Sequence, residues 1–246
     1  TLIDSNTIRR GYYSFVKDDI LERETSEGAA GSRIGEEQVL ALPLAIDTLG
    51  LYYNAALLEK NEIFDPPATW QKFQEDVIKI AKVDKNNAIS LAGAALGTAR
   101  NVIRPTDILA ALMLQTGVEM INKDQGYATF HQNLREQDKY NGGLEALRFY
   151  TDFADPTKKV YTWNNKQGQA LDQFKGGAVA YMLGYGYNLA EIKNSKIRFG
   201  TAPLPVPEGA IGPTTVANYW VETVSKKSAH TDEAWHFLNF LSEPAN

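Results

Sequence analysis

The chain has 246 residues, 43% of them hydrophobic, which is enough for one large domain or two small lobes with a real core. Its formal charge of -5 and pI near 5.3 argue against nucleic acid or an anionic membrane as the main partner, because both require a basic face. With no cysteine there are no disulfides, thiolate metal sites or cysteine nucleophiles.

No stretch reaches the roughly 18 to 20 apolar residues of a membrane span, and the opening TLIDSNTIRR lacks the basic start and apolar core of a signal peptide. Any export signal is therefore expected outside this chain. The segment ERETSEGAAGSRIGEEQ reads as a solvated helix end followed by a glycine-rich turn. From Val39 the pattern turns apolar, and VLALPLA then TLGLYYN predict two consecutive extended segments meeting at Ile46–Asp47. Asp47 stands out there: a carboxylate buried without partners costs several kcal/mol, so something must meet it.

Asn54 opens a short helix. Thr69 caps a longer one in PPATWQKFQEDVIKIAKV, with Phe73, Val77, Ile80 and Ala81 at helical spacing. AISLAG is a strand, and RPTDILAALMLQTG a helix expected to be capped by Thr106 and closed by Gly117. GGLEALRFYTDFAD places Ala146, Phe149, Tyr150 and Phe153 on one helical face; KQGQALDQFKGG is a short helix and AVAYMLG a buried strand. IRFGTAPLPVP and TTVANYWVETVS supply two more strands. A last helix begins near Thr231 with Asp232 and Glu233 in its first turn, and is expected to bury Ala234, Phe237, Leu238 and Leu241. This β–α alternation predicts a largely parallel, helix-covered sheet.

Familiar catalytic motifs are missing. His131, His230 and His236 include no i, i+4 pair, so a helical zinc site is not supported. There is no G-x-S-x-G elbow and no P-loop, and GYGYNL carries G-x-G without the third glycine of a dinucleotide site. A glycosidase pair of carboxylates stays open, since such pairing is spatial.

Several segments, in order along most of the chain, resemble the extracellular solute-binding proteins of bacterial ABC importers, the family that includes maltose-binding protein and other sugar binders. Pro43, Asp47, Leu51, Tyr53 and Asn54 match its proline, acid and strand ending in Tyr-Asn, and PPATW follows. ALDQFKGGAVAYMLGYGY resembles its helix ending in Phe-x-x-Gly, then a strand, then a turn bearing an aromatic residue. FGTAPLP and VSKKSAHTDEAWHFLNFL resemble its second interlobe crossing and a later helix.

The resemblance implies an α/β, two-lobe fold of the type II periplasmic binding proteins, with the first lobe incomplete: 1–46 as a partial first lobe, 47–200 as the second lobe, and 201–246 as the second crossing and return. It puts Asp47 at the cleft floor, where its carboxylate would accept bidentate hydrogen bonds from vicinal hydroxyls; the alternative is that Asp47 caps a turn or pairs with a lysine. Tyr187 matches the aromatic that stacks on a sugar, where the family more often has tryptophan. Trp163 is a second platform candidate or else rim packing, and Tyr219 and Trp220 fall where the other lobe's strand approaches the cleft. Asn101 and Arg104 lie in a strand-to-helix loop, where ligands gather in open α/β sheets, although Arg104 before Pro105 is alternatively only solvated.

The function so implied is that of a substrate-binding component of an ABC importer, capturing a sugar or oligosaccharide and delivering it to a permease. It is extracytoplasmic, not an enzyme, without cofactor or metal, and meets the membrane only through the permease or an unseen lipid anchor. The alternatives are a carbohydrate-active enzyme with two cleft carboxylates roughly 5 to 9.5 Å apart, or the same fold binding a polyamine, a peptide or an iron complex.

Overall fold

The computed structural model describes residues 4–23, 37–122, 126–133, 140–210 and 212–243, so the glycine-rich turn expected at 24–36 lies outside the described residues. In chain order come α1 (Ser5–Gly11), α2 (Ser14–Ile20), β1 (Leu21–Arg23), β2 (Glu37–Val39), β3 (Leu42–Thr48) and β4 (Gly50–Asn54). Next are α3 (Ala55–Lys60), α4 (Trp70–Ile80), β5 (Lys82–Val83), β6 (Ile89–Ala94), α5 (Pro105–Gln115), β7 (Ile121–Asn122) and β8 (Tyr127–Ala128). Then follow α6 (Gly142–Asp152), α7 (Ala170–Lys175), β9 (Val179–Gly184), a 3-10 turn at Gly186–Asn188, α8 (Leu189–Lys193), β10 (Phe199–Ala202), β11 (Ala217–Glu222) and α9 (Thr231–Leu241).

The chain divides into two units, Asp47–Ala217 and Thr1–Ile46 with Asn218–Asn246. The second division falls at Ala217–Asn218 rather than near residue 200, because β10 pairs with β4 and so stays in the sheet of the larger unit.

In the larger unit β9 is buried at every position, as expected of a central strand covered on both faces. The sheet order is β10-β4-β9-β6-β5. Only the β6–β9 pair is parallel, whereas β10–β4, β4–β9 and β5–β6 are antiparallel, which corrects the largely parallel sheet expected from alternation. The reason is topological. Alternation orders elements along the chain, but β4 inserts between two strands that come much later, β9 and β10, and runs against both.

Local chemistry fixes several helix starts. Asn54 accepts from the N–H groups of Ala56 and Leu57 at 3.1 and 3.2 Å, and Thr69 from that of Lys72 at 3.2 Å. The start of α5 is different: Pro105 occupies its first turn, and the cap is Arg104 in a left-handed conformation, φ 48° and ψ 54°, not Thr106. Against β6, α4 approaches so closely that a Cβ on Gly93 would lie 2.6 Å from the Val77 carbonyl oxygen. The fully buried Phe73 of α4 meets the rings of Trp70, Phe153 and Tyr181 at centroid distances of 5.4, 5.8 and 5.2 Å. Beside it the buried Asp76 carboxylate takes Lys72 Nζ at 2.5 Å and the Tyr181 hydroxyl at 2.9 Å, so this interior charge is paired.

The smaller unit packs Ile8, Val16, Ile20, Val39 and Leu42 around Trp235, with β1 and β2 antiparallel and β3 paired to β11. Here α9 departs from the expected stripe. Trp235 is its buried residue, while Ala234, Leu238 and Leu241 are half-buried and Phe237 is exposed. A small core takes one large side chain from this helix, and the indole fills that place.

Phe73→Ala is expected to lower unfolding free energy by about 3 to 5 kcal/mol, measured by urea denaturation, since it leaves a cavity among three rings.

Candidate functional site

The parallel strands β6 and β9 end on the same side of their sheet, the side where ligands bind in open α/β sheets. Beyond β9 the chain turns at once. The Tyr185 N–H donates to Asn188 Oδ1 at 3.0 Å, and Gly184 leaves no room for a side chain, since a Cβ there would sit 2.9 Å from that same oxygen. The buried Tyr185 is tied at both ends: its hydroxyl donates to Asp107 Oδ2 at 2.8 Å, and its carbonyl accepts from the Tyr52 hydroxyl at 2.7 Å. On it stacks the ring of Tyr187, centroids 5.7 Å apart and planes 12° from parallel, with Tyr187 itself 54% exposed.

Asp47 joins this cluster through the backbone. Its Oδ1 accepts from the N–H groups of Gly186 at 2.7 Å and Thr48 at 2.8 Å, and its Oδ2 from that of Tyr187 at 3.0 Å. The carboxylate is half-buried, and main-chain donors are what meet it. Arg104 arrives from the loop after β6. Its Nε donates to Asp107 Oδ2 at 2.8 Å, and its guanidinium carbon lies 5.9 Å from the Tyr185 ring centre, within cation–π range. Burial and the Asp107 hydrogen bond push the Tyr185 phenol well above its ordinary pKa. Burial, with the nearby Asp47 charge second, raises Tyr52.

The structure thus brings together Asp47, Arg104 and Tyr187, through Tyr185, Asp107 and Tyr52, while within the same unit Asn101 and Trp163 turn into the core. Asn101 is buried with its amide occupied: Oδ1 accepts from the Thr98 hydroxyl and from Trp163 Nε1 at 3.0 Å, and Nδ2 donates to the carbonyls of Asn164 and Gln167 at 3.0 and 2.9 Å. Trp163 is fully buried and packs in the core instead of forming a platform. Tyr219 and Trp220 belong to β11, in the smaller unit. The Tyr219 hydroxyl donates to Asp19, and burial together with that bond pushes its phenol up to about 12, while Trp220 is 82% exposed.

Sequence reasoning passed over Tyr185, Tyr52 and Asp107. For Asp107 a signal existed in the Arg-x-x-Asp spacing at a helix start, which puts the two side chains one turn apart. Among the described residues no group of three or more His, Asp or Glu side chains could hold a metal ion, and no helix is long and apolar enough to cross a membrane.

A family model for bacterial extracellular solute-binding proteins matches residues 11–246. A binding protein of Brucella abortus (strain 2308) is 29% identical over 210 residues, covering 81% of this chain and 46% of that protein. An ABC transporter solute-binding protein from Thermotoga lettingae, solved with alpha-D-tagatose, aligns with TM-score 0.63 at 22% identity, over 94% of this chain and 59% of the other. The cyclic alpha-maltosyl-1,6-maltose binding protein from Arthrobacter globiformis aligns with TM-score 0.65 at 21% identity, over 84% and 49%. The structural likenesses show the fold, the mixed α/β architecture of periplasmic-binding-protein-like solute binders. The chain spans about half the length of the proteins it matches.

Five of the twelve tyrosines, Tyr52, Tyr150, Tyr181, Tyr185 and Tyr219, have phenol pKa values raised chiefly by burial. Folding favours their neutral forms, so the stability they contribute is complete below the unfolded-state value of about 10 and is lost as pH rises above it. In an alkaline titration the unfolding midpoint should hold to about pH 10 and then fall, with the late phenolate absorbance appearing together with loss of the circular dichroism signal.

Proposed function

We propose that this chain, which belongs to the family of bacterial extracellular solute-binding proteins, works as the substrate-binding component of an ABC importer and takes a sugar or oligosaccharide on the ring of Tyr187. The observation that carries this reading is the exposed Tyr187 ring, backed by the buried Tyr185 ring at 5.7 Å beyond the carboxyl end of a parallel strand pair. The C–H face of a pyranose is apolar and stacks on an aromatic plane. A platform fixed before the ligand arrives loses little freedom on binding, which favours affinity.

Arg104 supplies the polar complement. Its Nε is held by Asp107, and the other guanidinium N–H groups are donors for ligand oxygens. The ligands named for the Thermotoga lettingae and Arthrobacter globiformis proteins, a ketohexose and a cyclic maltosyl-maltose, support a sugar as the class. Delivery to a membrane permease and an extracytoplasmic location are part of the same proposal, and the family supports them. The glycosidase alternative is the weaker one, because both carboxylates of the cluster are engaged by the protein itself: Asp47 by three main-chain donors, Asp107 by Arg104 and Tyr185.

A thermal-shift panel of tagatose, maltose, maltotriose and cyclic tetrasaccharides, followed by calorimetry on the positives, tests the proposal. At least one sugar should raise the unfolding midpoint. Tyr187→Ala should weaken its binding about tenfold or more, equivalent to roughly 1.4 kcal/mol or more, with the unliganded midpoint unchanged because that ring is largely outside the core. Silence across the sugars with a response to spermidine or a tripeptide, or release of shorter products from an oligosaccharide, would contradict it.

A further inference from the structure

We infer that Asp47 is a positioning residue, which holds the Tyr187 platform in place through its backbone, and not a contact to the ligand; the inference rests on the reading of Tyr187 as the platform. An ionised carboxylate offers about four acceptor sites, and the protein already fills three of them with N–H donors from Thr48, Gly186 and Tyr187. Two of these donors are successive amides of the turn that carries the ring, 139 and 140 residues away in sequence. Hydrogen bonds to a charged acceptor are roughly twice as strong as neutral ones, so this is the firmest tie that turn has to β3.

Gly186 corroborates the arrangement from the other side. A Cβ at that position would lie 2.8 Å from Asp47 Oδ1 and 3.4 Å from its Cγ, so any side chain there would have to push the carboxylate away from the turn. The ring of Tyr187 is then fixed twice, by its amide on Asp47 and by its face on Tyr185, which Asp107 and Tyr52 hold in turn. Arg104 belongs to the same assembly through Asp107, and its left-handed backbone, uncommon for a residue with a side chain, is the kind of conformation that persists where surrounding contacts determine it. Each polar group that touches the platform from behind serves to orient it, and Asp47 is the one that acts on its main chain.

A positioning role and a contact role leave different traces. Asn at position 47 keeps one acceptor oxygen but turns an NH2 group towards an amide donor, so the turn should loosen without any change in the ring's chemistry. In the unliganded chain, hydrogen exchange read by NMR at the Gly186 and Tyr187 amides should accelerate about tenfold or more in Asp47→Asn, the factor expected for loss of a hydrogen bond to a charged group. Gly186→Ala should accelerate exchange at the Tyr187 amide in the same way, and combining the two should add little. With maltotriose as the probe, Asp47→Asn should weaken binding in the natural chain and have no further effect in a Tyr187→Ala background. Unchanged amide exchange in both variants would overturn the inference, as would an Asp47→Asn loss of equal size with and without the Tyr187 ring. If maltotriose does not bind, the probe is whichever sugar of the panel does; if none binds, the sugar reading fails and the exchange result alone decides this one.

Discussion

A single carboxylate accepting three main-chain N–H groups is the constraint on which the site depends. Asp47 lies at the start of the larger unit, and its oxygens reach across to the turn after β9 at 2.7 and 3.0 Å. That contact explains why an acid is tolerated in an apolar run: it is half-buried, and main-chain N–H groups of Thr48, Gly186 and Tyr187 meet it. The glycine between the two tyrosines lets the carboxylate approach this closely, since a Cβ there would lie 2.8 Å from Asp47 Oδ1.

The platform stands on a core in which interior polar groups are matched by specific partners. The Gly93 N–H donates to the Thr162 hydroxyl at 2.5 Å, Tyr150 donates to the Thr98 carbonyl at 2.7 Å, and Asp76 is shared between Lys72 and Tyr181. Among the described residues no buried side-chain nitrogen or oxygen lacks a partner. Such networks narrow the conformations available to the loops they pin. The loop from Thr98 to Asn101 and the segment from Trp163 to Gln167 are held to each other by one asparagine amide. Arg104 follows directly after that fixed loop, and the turn that carries the exposed Tyr187 follows the fully buried β9, so both side chains stand on rigid supports.

Much of the local structure was legible in the sequence because its causes are local. The caps at Asn54 and Thr69 and the apolar stripe of α4 follow from residues three or four apart. Strand direction was not legible, since it depends on β4 lying between strands that occur more than 120 residues later. The same distinction runs through the site. An acid interrupting an apolar run marked Asp47 as a residue needing partners, yet those partners lie 139 and 140 residues on. Asn101 and Trp163, each of which reads alone as a polar or aromatic candidate, turn inward because they satisfy one another. At Thr106 the proline before it moved the helix start, and the cap fell to Arg104.

The most direct measurement of the central claim is a set of intermolecular NOEs between the chain and bound maltotriose. The account predicts contacts from the Tyr187 ring protons to the C–H protons on one face of a single glucose unit, with those sugar signals shifted upfield by the ring. A bound sugar whose NOEs run to other parts of the chain and never to Tyr187 would contradict it.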